Sequence, residues 1–361
     1  MNLPSSTNRN CPSRCQDQSK SDKILISKEA TTNGFKMKKI IVIASYILLF
    51  LTVSYYQKAN STPEQDSDKG DVFYDQKDYK QAFHWYKKSA EQGNADAQFL
   101  LGDMYGKGLG VLKDFKQAIL WFKKSTDQGN SLAQLSLGMM YHHGLGTLKD
   151  DKQAVHWYQE SADQGNASAQ YNLGTMYGEG RGVLRDAEQA THWYQKAADQ
   201  GLAIAQYNLG TLYSNGRGVI KDDKQAVFWL KLSAEQGHAE AQFNLGVTYD
   251  NGRGVPEDNK QAFHWYQKSA NRGYAQAQFN LGTMYNNGNG VLKDEKQAVF
   301  WFEKAAEQDL ALAQYSLGGM YINGSGVQKD MRQAKKWIKK AHDNNYPEAL
   351  KIWEDFELWK Y

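Results

Sequence analysis

Eight tryptophans stand at one fixed interval in this chain: Trp85, Trp121, Trp157, Trp193, Trp229, Trp265, Trp301 and Trp337, each 36 residues after the last. Gly102, Gly138, Gly174, Gly210, Gly246, Gly282 and Gly318 keep the same interval, as do Tyr105, Tyr141, Tyr177, Tyr213, Tyr249, Tyr285 and Tyr321. Self-similarity at such a period means tandem copies of one supersecondary unit, and it fixes the architecture before any propensity is weighed. The composition agrees. Aromatics make up 13% of the chain, with only 5 prolines against 32 glycines, while mean hydropathy is −0.72. Such a chain has ample material for a core shared among short helices, and it is not collagen, bulk disorder or a polytopic membrane protein.

Within one unit, residues 167–202, Ala169, Leu173, Met176 and Tyr177 form a stripe at helical spacing. Gly178, Gly180 and Gly182 interrupt it. Asp186 then stands as an N-cap for a second helix whose apolar face is Ala190, Trp193, Tyr194 and Ala197. Gly201 stands where a left-handed C-terminal cap is wanted. The cap aspartate recurs at Asp78, Asp114, Asp150, Asp222, Asp258, Asp294 and Asp330, and the closing glycine at Gly93, Gly129, Gly165, Gly237 and Gly273, lapsing at Asp309 and Asn345. A helix of about 12 residues cannot bury its stripe alone, so the units must stack. The expectation is an all-α superhelix, a solenoid of helical hairpins spanning 64–346 in about eight units, closed by a capping helix over 347–361 that carries Trp353, Phe356 and Trp359.

The pattern A-x-x-x-L-G-x-x-Y-x-x-G-x-G-V-x-x-D-x-x-x-A-x-x-W-Y-x-K-A-A resembles the Sel-1-like repeat family, a branch of the tetratricopeptide superfamily with an enlarged loop. The first unit departs from it: between Gly70 and Asp78 there is no G-x-G insertion, as in a plain tetratricopeptide hairpin. The resemblance implies partner binding along a concave face lined by first helices. One inward position is then Phe99, Leu135, Tyr171, Tyr207, Phe243, Phe279 and Tyr315. These rings either pack between first helices or offer aromatic anchors to a peptide or partner helix. Next along that face come Asp103, Met139, Thr175, Thr211, Val247, Thr283 and Gly319, which vary while the scaffold does not. The lysines and asparagines of a carboxylate clamp are missing there, which argues against capture of an acidic C-terminal tail on this face.

Catalytic and cofactor signals are weak. The G-x-G-V loops follow a helix and not a strand, so they read as turns needing positive φ rather than dinucleotide cradles. His84, His156, His192 and His264 share one helical position, but equivalent positions on helices 8–10 Å apart are poorly placed to share a metal; half-buried helix histidines are expected. His142-His143 is a lone, unspecific metal hint. Some cysteine-rich relatives have been associated with β-lactam binding or hydrolysis, yet Ser-x-x-Lys and G-x-S-x-G are both absent. The only cysteines, Cys11 and Cys15, lie outside the repeats. No enzyme, cofactor or metal is expected.

The remaining expectations concern location and partners. Residues 40–53 are fourteen uncharged residues behind Lys36, Lys38 and Lys39, the length of a signal-peptide core and short of the ~20 residues of a bilayer span. Segment 37–56 therefore reads as a signal peptide or signal-anchor, followed by a linker over 57–63. Met37 before Lys38-Lys39 would open a compact export signal, making the polar leader 1–36 a mis-assigned start. Either way the body is expected to be exported, periplasmic or secreted. Residues 1–39 carry +5 of a chain total of +3, so the rest is at −2 and offers no basic stripe for nucleic acid. The function expected is a non-enzymatic scaffold for a protein or peptide partner, with a β-lactam-binding protein or a regulator of a membrane sensor kinase as alternatives.

Overall fold

The computed structural model describes residues 45–48, which are helical, and 61–361. It is all-helical, with no strand among the described residues. The chain divides into two compact units between Gly93 and Asn94.

In the first unit, α1 (Pro63–Asp75) and α2 (Tyr79–Glu91) form a hairpin joined by Gln76, Lys77 and Asp78. Thr62 and Gln65 make a capping box at the start of α1. Gly70 lets the helices close: a Cβ there would stand 2.4 Å from the Tyr86 ring. Asp66 is fully buried and accepts from Ser61, from Lys88 and, at 2.9 Å, from Gln92 Nε2. Burial alone would raise its carboxyl, but those hydrogen bonds outweigh it and hold it below the ordinary range.

The second unit repeats one hairpin seven times. First helices are α3 (Ala95–Lys107), α5 (Ser131–His143), α7 (Ala167–Glu179), α9 (Ala203–Asn215), α11 (Ala239–Asn251), α13 (Ala275–Asn287) and α15 (Ala311–Asn323). Second helices are α4 (Phe115–Thr126), α6 (Asp151–Asp163), α8 (Ala187–Asp199), α10 (Asp223–Glu235), α12 (Asn259–Asn271), α14 (Glu295–Glu307) and α16 (Met331–Asp343). Each second helix starts on its aspartate; Asp186 Oδ1 accepts from Glu188 N at 2.9 Å and Gln189 N at 3.0 Å. Each helix packs on its sequence neighbours, so consecutive hairpins stack as a superhelical repeat within this unit.

The two periodic residues have separate jobs in that stacking. The glycine of the first helix admits the residue after the tryptophan: at Gly138 a Cβ would stand 2.5 Å from the Tyr158 ring. The tryptophan reaches backward. Trp193 packs at the seam between the second helix of the preceding hairpin, Ala154 and Tyr158, and the first helix of its own, Leu173 and Met176, and Trp229, Trp265, Trp301 and Trp337 do the same one repeat on each. A stripe too narrow to bury itself is thus covered by its neighbour. The loops behave as turns: Gly180 and Gly182 have φ of 72° and 70°, and a Cβ on Gly182 would lie 2.2 Å from the Asp151 carbonyl oxygen. Asp309 and Asn345, where the closing glycine lapses, keep the left-handed conformation at φ 59° and 62°.

Beyond the last hairpin, α17 (Glu348–Asp355) and a 3₁₀ turn (Leu358–Lys360) lay Ala349 and Leu358 onto Ala334, Ile338 and Ala341. Leu358 is fully buried, whereas Phe356 and Trp359 are largely exposed.

Candidate functional site

Phe99, Leu135, Tyr171, Tyr207, Phe243, Phe279 and Tyr315 each sit at the fifth residue of a first helix and are half-buried. The position is fixed locally. An alanine two residues earlier and a leucine two residues later, Ala169 and Leu173 around Tyr171, are fully buried, so the helical turn between them leans toward the hairpin edge. Each ring rests one face on its own hairpin: Phe99 on Phe122 at 6.0 Å, Tyr171 on Tyr194 at 5.7 Å, Phe243 on Tyr266 at 5.8 Å and Phe279 on Phe302 at 5.5 Å between centroids. Two others lean on the residue opening the next repeat: Tyr207 stacks on His238 at 4.8 Å, and Tyr315 on Tyr346 at 4.9 Å. Packing and partial exposure therefore coexist in every ring of the row.

One turn further on, Thr175, Thr211 and Thr283 are half-buried. Their hydroxyls donate to the carbonyls of Tyr171, Tyr207 and Phe279 at 3.1, 3.0 and 3.1 Å, which leaves oxygen lone pairs able to accept from an incoming donor. Thr175 Oγ1 also lies 3.1 Å from the Tyr194 hydroxyl. Burial raises the Tyr194 and Tyr266 hydroxyls above the usual phenol value, so both stay protonated at neutral pH. The row thus presents aromatic edges and neutral hydroxyls, a surface suited to apolar side chains and main-chain N–H groups rather than to ions.

His238 closes one end of this patch. Its Nδ1 accepts from Ala241 N at 3.3 Å, taking the capping role that Asn94, Asn130 and Asn166 fill elsewhere. Burial lowers its pKa, partly offset by Glu240.

The other histidines depart from expectation. His84, His156, His192 and His264 are exposed rather than half-buried, and each turns toward the tryptophan that follows, at 5.4, 4.9, 5.1 and 5.2 Å. The indole is buried at Trp193 and Trp265 and half-buried at Trp85 and Trp157, while the preceding position faces water. His142 pairs with Asp151 at 2.7 Å across the glycine loop, and no group of three metal-ligating side chains occurs among the described residues.

Two features were not anticipated from the sequence. Leu112, Leu148, Leu184, Ile220 and Leu292 stand in equivalent loops with 88–91% of their surface exposed. A buried glutamine also recurs in the first helices, met by a polar residue just past the second helix: Gln164 Nε2 donates to Gln134 Oε1 at 2.7 Å, and Gln200 to Gln170 at 2.8 Å. The 36-residue spacing of these glutamines was a visible signal, but polar letters suggest a wet face.

The apolar run over 40–56 lies outside the described residues apart from 45–48. Among the described residues no helix is long and apolar enough to cross a membrane.

Comparison with known proteins gives a consistent result. The Sel1 repeat matches residues 69–94, 95–130, 131–166, 167–202, 203–238, 239–274, 275–310 and 311–346. A crystal structure of a Sel1 repeat protein from Oxalobacter formigenes is similar at a TM-score of 0.66 and 32% identity, over 85% of this chain and 91% of that one. A protective antigen of uropathogenic Escherichia coli strains displaying the same repeat fold is similar at a TM-score of 0.50 and 32% identity, over 83% of this chain and 80% of that one. No curated protein matches the chain.

Proposed function

The chain belongs to the Sel1 repeat family, whose members generally mediate protein–protein interaction, and from that premise we propose that its second unit is a non-catalytic scaffold holding a protein or peptide partner against its first helices. The observation that carries this reading is the half-buried row from Phe99 to Tyr315: six aromatics in seven equivalent places, each braced on one side and open on the other. Rigid rings at a fixed interval cost little entropy to immobilise and suit several moderate contacts made at once. Beside them Thr175, Thr211 and Thr283 offer hydroxyls, while Asp103, Met139, Val247 and Gly319 occupy the same step, so the face changes character along its length. That variation supports recognition of one particular sequence rather than of a repeating polymer.

The apolar run 40–53 behind three lysines supports export of the body, cleaved or anchored at its N-terminus. The partner-binding reading is tested by Tyr207→Ala combined with Phe243→Ala. Partner capture should fall while the helical circular dichroism signal stays near that of the parent. Collapse of the helical signal would show that the rings serve packing instead.

A further inference from the structure

Seven of the eight hairpins carry one polar rung between the buried side chain of the first helix and the residue just past the second: Gln92 to Asp66, then Gln128, Gln164, Gln200, Gln236, Gln308 and Asn344 to glutamines of their own first helices, at 2.7–3.0 Å. The eighth is broken. Where the pattern calls for a glutamine the chain has Arg272, and Gln242, only 3% exposed, is left with its Oε1 buried and without a partner among the described residues. Its Nε2 still donates to the Ala234 carbonyl at 2.9 Å. Arg272 instead lies across Gly237, where a Cβ would stand 2.4 Å from a guanidinium nitrogen. No hydrogen bond or ion pair engages its side chain among the described residues. One chain that solves the same packing problem seven times in one way, and once at a loss, has a reason for the exception.

That reason is visible beside it. Gln242, Arg272, Lys268, Asn271, Glu235 and Gly237 line an open cavity of about 370 Å³. Lys268 rests over the Trp265 ring at 4.7 Å and forms no ion pair among the described residues. Glu235 is 3.9 Å from Lys231, which partly neutralises it. Two uncompensated cations, one of them a planar fork, therefore face one small cleft. A guanidinium matches a carboxylate through two parallel N–H···O bonds, and a second cation beside it raises selectivity for that group. A phosphate dianion is less suited, because the negative ends of α10 and α12 and the Glu235 carboxylate lie at the same rim. Glu235 at the rim would instead reward a ligand bearing N–H donors next to its carboxylate.

We propose that this cleft is a binding site for a carboxylate carried next to N–H donors, that is, a free amino acid or a peptide C-terminus. It lies past the ends of the second helices and does not depend on the first-helix row.

Titration of the full chain with triglycine, its C-terminal amide, glycine and inorganic phosphate tests it, read by calorimetry and by thermal melting. Triglycine or glycine should bind, and whichever binds more tightly identifies the source as a peptide end or a free amino acid. Amidation should weaken triglycine by about tenfold or more, since the bidentate pair is lost. Arg272→Gln should melt at a higher temperature than the parent when no ligand is present, because it restores the missing rung, and should lose the ligand response. Lys268→Gln, which leaves every rung untouched, should weaken binding several-fold. Equal binding of triglycine and its amide, tighter binding of phosphate, full binding by Arg272→Gln, or no binding of either carboxylate at a roughly millimolar Kd would each overturn the proposal.

Discussion

Truncating Trp193 is the sharpest perturbation of the stacking. Its indole is 5% exposed and lies at the seam between two hairpins, with Tyr158 of the preceding one and Leu173 and Met176 of its own in the same core cluster. An aromatic of this kind removes about 150–250 Å² from water, which at ~25 cal/mol per Å² is roughly 4–6 kcal/mol; measured Trp→Ala losses in cores run at about 3–5 kcal/mol. Trp193→Ala should therefore cost about 4 kcal/mol. Its Nε1–H has no partner among the described residues, so no hydrogen bond to them is lost with the ring. Trp193→Phe should retain most of the stability, losing about 1–2 kcal/mol for the smaller ring. Because each hairpin contacts only its neighbours, the loss should also be local. Native-state hydrogen exchange followed by mass spectrometry should show faster exchange in α6 to α9 and unchanged protection in α15 and α16. Uniform loss along the unit, a cost under about 1 kcal/mol, or a Phe variant as damaged as the Ala one would refute the reasoning.

Other outcomes follow from single residues. His238 caps α11 through an unprotonated Nδ1 and titrates below the ordinary histidine range because it is buried. As pH falls below about 6.5 the unfolded chain takes up a proton that the folded site resists. Stability should therefore be lost on acidification from neutral pH, and His238→Asn should remove that component of the pH profile measured by urea denaturation. Asn345 holds a left-handed backbone at φ 62°, so Asn345→Gly should stabilise α16 by up to about 1 kcal/mol in thermal melts. Serine in place of Leu112, Leu148, Leu184, Ile220 and Leu292 together should shift stability by less than about 0.5 kcal/mol per site in denaturant melts, since almost none of their surface is buried.

Much of the hairpin was legible in the letters because its constraints are local or strictly periodic. Asp186 before an apolar-periodic run reads as a cap, and the bonds from Glu188 and Gln189 are its physical content. Gly182 needs both a positive φ and room beside the Asp151 carbonyl, and either requirement alone selects glycine. The periodic tryptophan announces a repeat, but the letters do not say that it seals the seam between its own first helix and the second helix of the hairpin before. The rungs were harder to see. A glutamine is an ordinary surface residue until a partner thirty positions away satisfies it, and only then does burial become tolerable. Leu184 misleads in the opposite sense: an apolar letter suggests burial, yet its rigid loop carries it out into water, 91% exposed. At the candidate face the letters gave the row but not its orientation, and Tyr207 stacking on His238 arises only where two successive repeats meet.

Site-resolved photocrosslinking in the native cell tests the proposed function most directly. A photoreactive side chain at Tyr171, Tyr207 or Phe279 should join the chain to one discrete partner, while the same probe at Lys152, Lys224 or Lys296 at the start of second helices should not. Equal yields at both sets of positions, or capture only at the second, would contradict recognition through the first helices.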